Sequence, residues 1–152
     1  MSISLRPVQR DDEEFLFELF CQTMDEGLMT FNTAQREAIL RLQFNAQHET
    51  YKAEFPNADH QIILLDVQAI GRVMVERTCT EHRIVDIALL RDYRSGGIGT
   101  VLIRELLDEA ALAGKPFRIS VVRSNPALHL YQRLGFKLTG ETPSHFLLEV
   151  SS

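Results

Sequence analysis

The sequence has few cysteines and no long apolar run, and both shortages narrow what the protein can be. Cys21 and Cys79 are isolated, without a Cys-x-x-Cys pair or a His/Cys cluster at metal-ligand spacing. A disulfide framework and a metal site are therefore not expected, and a reduced, cytoplasmic chain is. No apolar stretch reaches the length of a membrane span, and the first residues lack the basic and apolar regions of a signal peptide. Association with a membrane is not expected either.

The chain also lacks an excess of positive charge. Its 152 residues carry a formal net charge of −5, with 45% hydrophobic residues. A net negative charge argues against nucleic acid as a partner. The length and the apolar content predict one globular domain over residues 1–152 with a sizeable core.

Three glycines stand close together between an apolar strand and an amphipathic helix, in the segment Arg94–Thr100. Glycines at such a turn let backbone N–H groups approach a ligand, and the start of the helix adds partial positive charge. The pattern Arg-x-x-Gly-x-Gly, with Arg94, Gly97 and Gly99, therefore predicts an anion site, most often for phosphate. It lacks the Gly-Lys-Ser/Thr ending of a Walker loop, and Leu102 stands where a dinucleotide fingerprint has its third glycine.

Apolar residues alternate in some segments and recur at helical spacing in others, which predicts the order β-α-α-β-β-β-α-β-α-β-β. The run from Arg83 to Leu90 is apolar except for Asp86, as expected for a central strand covered on both faces. Antiparallel hairpins come first and one strand–helix–strand crossover follows. The fold class is therefore α/β of the α+β type, with helices packed on a mixed, mostly antiparallel sheet.

Two motifs in the C-terminal half resemble one family. The segment 86–100, DIALLRDYRSGGIGT, resembles the acyl-CoA loop of the GNAT superfamily of N-acetyltransferases, and the segment 125–136, NPALHLYQRLGF, looks like the second motif of that superfamily. They stand in the right order, about thirty residues apart, as a crossover unit requires. The resemblance implies the GNAT fold, whose sheet contains one parallel strand pair that splays apart at a bulge.

The resemblance also implies how acetyl-CoA would be held as co-substrate. The CoA pyrophosphate would be cradled by seven residues of the turn: Arg94, Ser95, Gly96, Gly97, Ile98, Gly99 and Thr100. Pantetheine would pair with backbone groups of Ile87, Ala88 and Leu89, with the Leu89 N–H near the thioester carbonyl. Asn125 would contact the pantetheine arm, and Tyr131 would act as the general acid for the leaving thiolate.

Each assignment has an alternative that requires no ligand. The glycines are compatible with a plain tight turn, and Arg94 with a solvated surface charge. Asn125 before Pro126 is a good helix N-cap. Tyr131 shares a helix face with two leucines and is compatible with a purely core role.

The sequence supports its candidates for the general base less than those for the other roles. Some relatives carry a glutamate on the strand before the loop, where this chain has Val85. Asp86 is adjacent but is expected to point to the opposite face of the sheet. Glu76, on the preceding strand, is the candidate catalytic carboxylate, although an outward-facing, solvated side chain is the alternative. His60 and His82, near strand ends, are expected at the surface.

The resemblance predicts an N-acetyltransferase that moves an acetyl group from acetyl-CoA to a primary amine of a small molecule or a protein by direct attack. The alternative is a non-catalytic acyl-CoA-binding sensor or interaction module, which the missing base favours. A homodimer is compatible with the resemblance. The acceptor zone is expected to draw on apolar and aromatic residues of the first helices and a late loop: Met24, Met29, Phe31, Tyr51, Phe55, Pro143 and His145.

Overall fold

The computed structural model describes residues 2–24, 32–125 and 127–151. In these three ranges the observed elements follow the predicted order. None of the helices within them is both long enough and apolar enough to span a bilayer. Cys21 and Cys79 do not form a disulfide.

The described residues form seven strands and four α-helices. The strands are β1 (Ile3–Pro7), β2 (Asp59–Leu65), β3 (Gln68–Arg77), β4 (His82–Leu89), β5 (Phe117–Val122), β6 (Lys137–Glu141) and β7 (His145–Val150). The helices are α1 (Glu13–Met24), α2 (Thr33–Glu54), α3 (Ile98–Leu112) and α4 (Leu128–Arg133).

The strands form one sheet in the order β1-β2-β3-β4-β5-β7-β6. Every neighbouring pair is antiparallel except β4 and β5, which run parallel. The mixed sheet with one parallel pair confirms the predicted fold class. The parallel pair exists because α3 crosses over between its two strands, and a crossover returns the chain in the same direction.

The two faces of the sheet carry separate cores. One apolar cluster joins Val73, Val75 and Ile84 to α3, and the other joins Ile62 of β2 to α1 and α2. Alternate side chains of a strand point to opposite faces, so neighbouring β2 residues serve different clusters. We refer below to the α3 face and the α1/α2 face.

The second helix begins with a capping box formed by Asn32 and Gln35. The Oδ1 atom of Asn32 accepts a hydrogen bond from the Gln35 N–H at 2.8 Å, and the Gln35 Oε1 accepts one from the Asn32 N–H. This reciprocal pair satisfies two donors at the helix start that have no acceptor within the helix. The helix ends at Glu54, before Pro56, as expected.

Strand β4 changes partner halfway along its length. It pairs with β5 only over His82–Ile84, while its pairing with β3 continues to Leu89. On the β3 side, Met74 faces Asp86 and Val75 faces Ile84, so Val85 is an extra residue in the ladder. An extra residue of this kind is a β-bulge, which bends its strand and increases the local twist. The parallel strands separate directly after it.

Gly71 allows β3 to stay close to the end of β4. A Cβ atom at this position would overlap the backbone carbonyl oxygen of Ala88 and lie 2.9 Å from the Leu89 Cδ2. Backbone atoms of a paired strand cannot move aside without disturbing the ladder. Glycine is therefore required here by the closeness of the two strands.

We expect Gly71→Ala to destabilise the protein by about 1–3 kcal/mol, the usual cost of overpacking. Urea denaturation followed by circular dichroism measures this change. Gly140→Ala is the matched control, because a Cβ there meets the movable Leu147 Cδ1, at 3.2 Å. Equal losses of stability in the two variants would contradict the proposed close approach.

Candidate functional site

A cleft opens between β4 and β5 where the two strands separate. It holds about 290 Å³ of empty space, part of which is open solvent at its mouth. It is lined by two stretches of facing strand, one loop residue and one helix residue: Ile84, Val85, Asp86, Ile87, Ile119, Ser120, Val121, Asn125 and Tyr131. The sequence predicted a gap at this place, and the structure has one.

The backbone of β4 beyond the bulge is paired on one side only. Ile87, Ala88 and Leu89 face Val73, Arg72 and Gly71 of β3, and the ladder to β5 has already ended. The side of these residues that faces β5 therefore has main-chain groups available to an extended ligand, which can add to the sheet edge as a further strand does.

The glycine turn follows directly. A single 3₁₀ turn, Arg91–Tyr93, leads to Ser95 and Gly97, which both have positive φ, at 65° and 86°. Gly97 is the N-cap of α3, and the first hydrogen bond of the helix runs from the Val101 N–H to the Gly97 carbonyl oxygen. The N–H groups of the residues before Val101 have no acceptor within the helix. They form a concave donor surface suited to an anion.

Among the residues that the structure describes, none occupies the space over the glycines. A Cβ atom added at Gly96, Gly97 or Gly99 would meet no heavy atom within 4 Å. Gly96 and Gly99 are therefore not required by packing, unlike Gly71. This open space favours a ligand at the turn over a plain tight turn.

Arg94 has a structural contact of its own. Its Nε donates a hydrogen bond to the Leu89 carbonyl oxygen at 2.9 Å, which ties the turn to the end of β4. The side chain is exposed. Because Nε occupies this bond, the two terminal nitrogens of the guanidinium remain the groups that can meet a phosphate.

Asn125 and Tyr131 both reach the cleft. The Asn125 Oδ1 accepts a hydrogen bond from the Ala127 N–H at 2.8 Å, which orders the turn before α4. The predicted N-cap position is wrong, however, because Ala127 is the N-cap. Tyr131 is 4% exposed and packs edge-on against Phe136, with ring centroids 5.6 Å apart. Burial, with the negative charge of Asp86, raises the pKa of Tyr131 to about 12, so its hydroxyl keeps its proton at neutral pH.

The sequence did not single out Arg72, and it discounted Asp86. Arg72 is 8% exposed, and its Nη2 donates hydrogen bonds to the Asp86 carboxylate and to the Gln47 Oε1 of α2. Its guanidinium lies 5.9 Å from the centroid of the Tyr51 ring. Asp86, which the sequence placed on the opposite face of the sheet from Val85, lines the cleft together with Val85, at the point where the strand bends. A lone carboxylate in an apolar strand was the available signal.

The remaining candidates are dispersed. Glu76 faces Arg83 across the β3–β4 ladder and is not among the residues that line the cleft; its catalytic role stays a prediction. His82 is 5% exposed, so its expected surface position is wrong. Met29 and Phe31 lie outside the described residues. Within those residues, no group of three or more His, Cys, Asp or Glu side chains is gathered to hold a metal ion.

His60 is also more buried than expected, under the α1/α2 face. Its Nε2 is buried without a hydrogen-bond partner. Burial, with the charges of Arg72 and His48, lowers the pKa of His60 to about 4, while Asp12 opposes the shift. The ring is therefore neutral in the folded protein at pH 7.

Comparisons with a family model and with solved structures both lead to acetyltransferases. The family model described as the acetyltransferase (GNAT) domain matches residues 57–138, just over half of the chain. Among solved structures, the PaiA N-acetyltransferase of Thermoplasma acidophilum, in complex with coenzyme A, is 19% identical, with a TM-score of 0.74 over 100% of both chains.

Two further structures have the same fold. A GNAT family acetyltransferase of Elizabethkingia anophelis with acetyl-CoA bound is 15% identical, with a TM-score of 0.67 over 99% of this chain and 98% of that one. The ribosomal-protein-S18-alanine N-acetyltransferase of Escherichia coli is 16% identical, with a TM-score of 0.66 over 99% of this chain and 96% of that one.

We expect the unfolding free energy to fall as the pH is lowered from about 6.5 towards 4. In that window the unfolded chain binds a proton at His60 that the folded chain does not, so acid favours unfolding. His82, whose pKa is lowered mainly by burial, acts in the same direction. Urea titrations at pH 7 and pH 5 compare wild type with His60→Gln, which cannot titrate. An equal loss of stability in both proteins between pH 7 and pH 5 would contradict the assignment of this pH dependence to His60.

Proposed function

This chain belongs to the GNAT acetyltransferase family, and on that premise we propose that it transfers the acetyl group of acetyl-CoA to a primary amine. The observation that supports this most is the cleft after the bulge, which opens at the same end of β4 as the glycine turn. One long ligand can therefore use both at once, with its anionic part at the turn and its reactive end in the cleft.

The residues of the turn suit the pyrophosphate of CoA. The N–H groups from Ser95 to Thr100 surround the N-terminus of α3, where a negative charge is favoured, while the Arg94 N–H donates to the Arg91 carbonyl oxygen and leaves the Arg94 side chain as its contribution. The terminal nitrogens of Arg94 add a mobile positive charge. Ile87, Ala88 and Leu89 offer the pantetheine arm the unpaired edge of β4, and Asn125 meets it from the opposite wall.

Acetyl-CoA supplies a thioester, whose carbonyl carbon is open to attack by a neutral amine. The Leu89 N–H polarises the carbonyl oxygen, as an oxyanion-hole donor does. Tyr131 holds a proton beside the position of the sulfur and can deliver it to the departing thiolate. Glu76 is the proton acceptor that the sequence favours.

The acceptor is a primary amine of a small molecule or an amino group of a protein. The E. coli structure shares this fold, and its name gives a ribosomal protein as its substrate. We further propose one GNAT-like domain over residues 1–152, a cytoplasmic location and assembly as a homodimer. Nucleic acid, membranes and metal ions have no part in the proposed reaction.

Two measurements test the proposed function. Calorimetric titration with acetyl-CoA should give saturable binding, and the absence of heat at millimolar ligand would reject both the enzyme and the binding module. Release of CoA thiol across a panel of primary amines then separates the two. Binding without turnover on any amine would favour the non-catalytic acyl-CoA-binding module.

Gly99→Ala should weaken acetyl-CoA binding about tenfold, which is ~1.4 kcal/mol, because the added methyl group stands where the phosphate approaches. The same change should stabilise the folded protein by about 0.5–1 kcal/mol, since alanine favours a helix more than glycine does. Calorimetry and urea denaturation report the two effects. Ala111→Gly, in the same helix but away from the turn, should lower stability and leave the affinity unchanged.

Tyr131→Phe should lower kcat by about 10²–10⁴ and leave acetyl-CoA affinity unchanged. Phenylalanine keeps the ring contact with Phe136 and removes only the hydroxyl group, which carries the proton. Thiol release, followed with the amine that wild type uses best, measures the loss. Full activity in the variant would exclude Tyr131 as the acid.

A further inference from the structure

The cleft brings a carboxylate and a phenol to the same opening from opposite faces of the sheet. Tyr131 belongs to the cluster on the α3 face, whereas Asp86 pairs with Arg72, which also contacts α2 on the other face. Both side chains line the cleft. The gap between the parallel strands is what lets them meet, because a closed ladder would separate the two faces.

Arg72 fixes the Asp86 carboxylate in this position. The Arg72 side chain is 10% exposed and that of Asp86 is 23% exposed, so a ligand in the cleft meets the carboxylate first. The Oδ2 atom of Asp86 is bonded to Arg72. A carboxylate has further acceptor capacity, on Oδ1, for an N–H of a cationic amine.

We infer that Asp86 takes the proton of the incoming ammonium group and that this uptake activates Tyr131 as the proton donor to the departing sulfur. The inference rests on the proposed acetyl transfer and adds a proton acceptor to it. Asp86 would thereby replace, one residue further along β4, the glutamate that relatives carry at the position of Val85. The bulge is what turns the carboxylate into the cleft.

The two groups act on each other through their charges. The negative charge of Asp86 contributes to the raised pKa of Tyr131, after burial. When Asp86 is protonated its charge is lost, so Tyr131 becomes more acidic when the sulfur needs a proton. The charged and titratable groups that face Asp86 are Arg72 from β3, Tyr51 from α2 and Tyr131 from α4.

The protons balance over the reaction. The ammonium gives one proton to Asp86 and becomes a neutral amine. As the C–N bond forms and the C–S bond breaks, the sulfur leaves with the electron pair and takes the hydroxyl proton of Tyr131. The new amide nitrogen releases its surplus proton, which restores Tyr131. Asp86 returns its proton to solvent, so the products are the N-acetylated amine, CoA thiol and one proton.

The first test needs no substrate. Alkaline titration of phenol absorbance is recorded for wild type and Asp86→Asn, and each is compared with the same protein carrying Tyr131→Phe so that the Tyr131 transition is isolated. Asp86→Asn should move that transition to lower pH. Asp59→Asn, which also removes an aspartate paired with a strand arginine, should not. An unmoved transition in Asp86→Asn would overturn the coupling.

The second test is a double-mutant cycle on turnover. Asp86→Asn should lower kcat/KM by about 10²–10⁴ with acetyl-CoA affinity unchanged. Asp86→Asn with Tyr131→Phe should lose less than the product of the two single losses, because the groups act as a unit. Loss of turnover in Glu76→Gln but not in Asp86→Asn would make Glu76 the base and the inference wrong.

The same set of variants includes a control for loss of folding. Asparagine keeps an oxygen for Arg72, and the double variant Asp86→Asn with Arg72→Gln leaves no unpaired buried charge. This double variant should move the Tyr131 absorbance transition to lower pH, as Asp86→Asn alone does. If wild type binds acetyl-CoA and acetylates no amine, the proposed function fails, while the titration still decides whether Asp86 controls Tyr131.

Discussion

The parallel contact between β4 and β5 stops after three residue pairs, and every feature of the candidate site depends on that early separation. Val85 is the extra residue that bends β4 away. Apolar residues on both faces hold the strand in the sheet before and after the bulge, so packed strands frame the opening. A ligand can enter there without disturbing the rest of the sheet.

The frame also controls the charges in the cleft. Arg72 and Asp86 form a partly buried pair, which is tolerated because Gln47 supplies a second acceptor for the arginine. Burial of a paired charge contributes little to stability and mainly fixes geometry. Here it fixes a carboxylate in the cleft that the phenol of Tyr131, with its raised pKa, also lines.

Two kinds of glycine serve different ends of the site. Gly71 is required by the neighbouring strand, and Gly99 has open space above it. The first keeps β3 against the end of β4, and the second leaves room at the helix N-terminus. Arg94 connects the two regions through the hydrogen bond from its Nε to the Leu89 carbonyl oxygen.

Local sequence patterns predicted the order of the elements and the position of the glycine turn. The period of apolar residues predicted the order of the strands and α-helices that the structure describes, and the glycines with Arg94 marked the turn before α3, because both signals lie within one segment of chain. Tyr131 and Asn125 were found through motifs that resemble a family. His60 and His82 were misjudged, since burial near a strand end depends on helices far away in sequence.

What only the tertiary structure decided is where side chains of different strands meet. A bulge reverses the alternation that sequence reasoning assumes, and one extra residue at Val85 was enough to bring Asp86 into the cleft. Arg72 gave no local signal because its partners are 14 and 25 residues away. The sequence by itself determined the elements and the glycine turn, through local spacing and backbone freedom. The sheet decided the electrostatics of the cleft, because charges interact through distance in space and not along the chain.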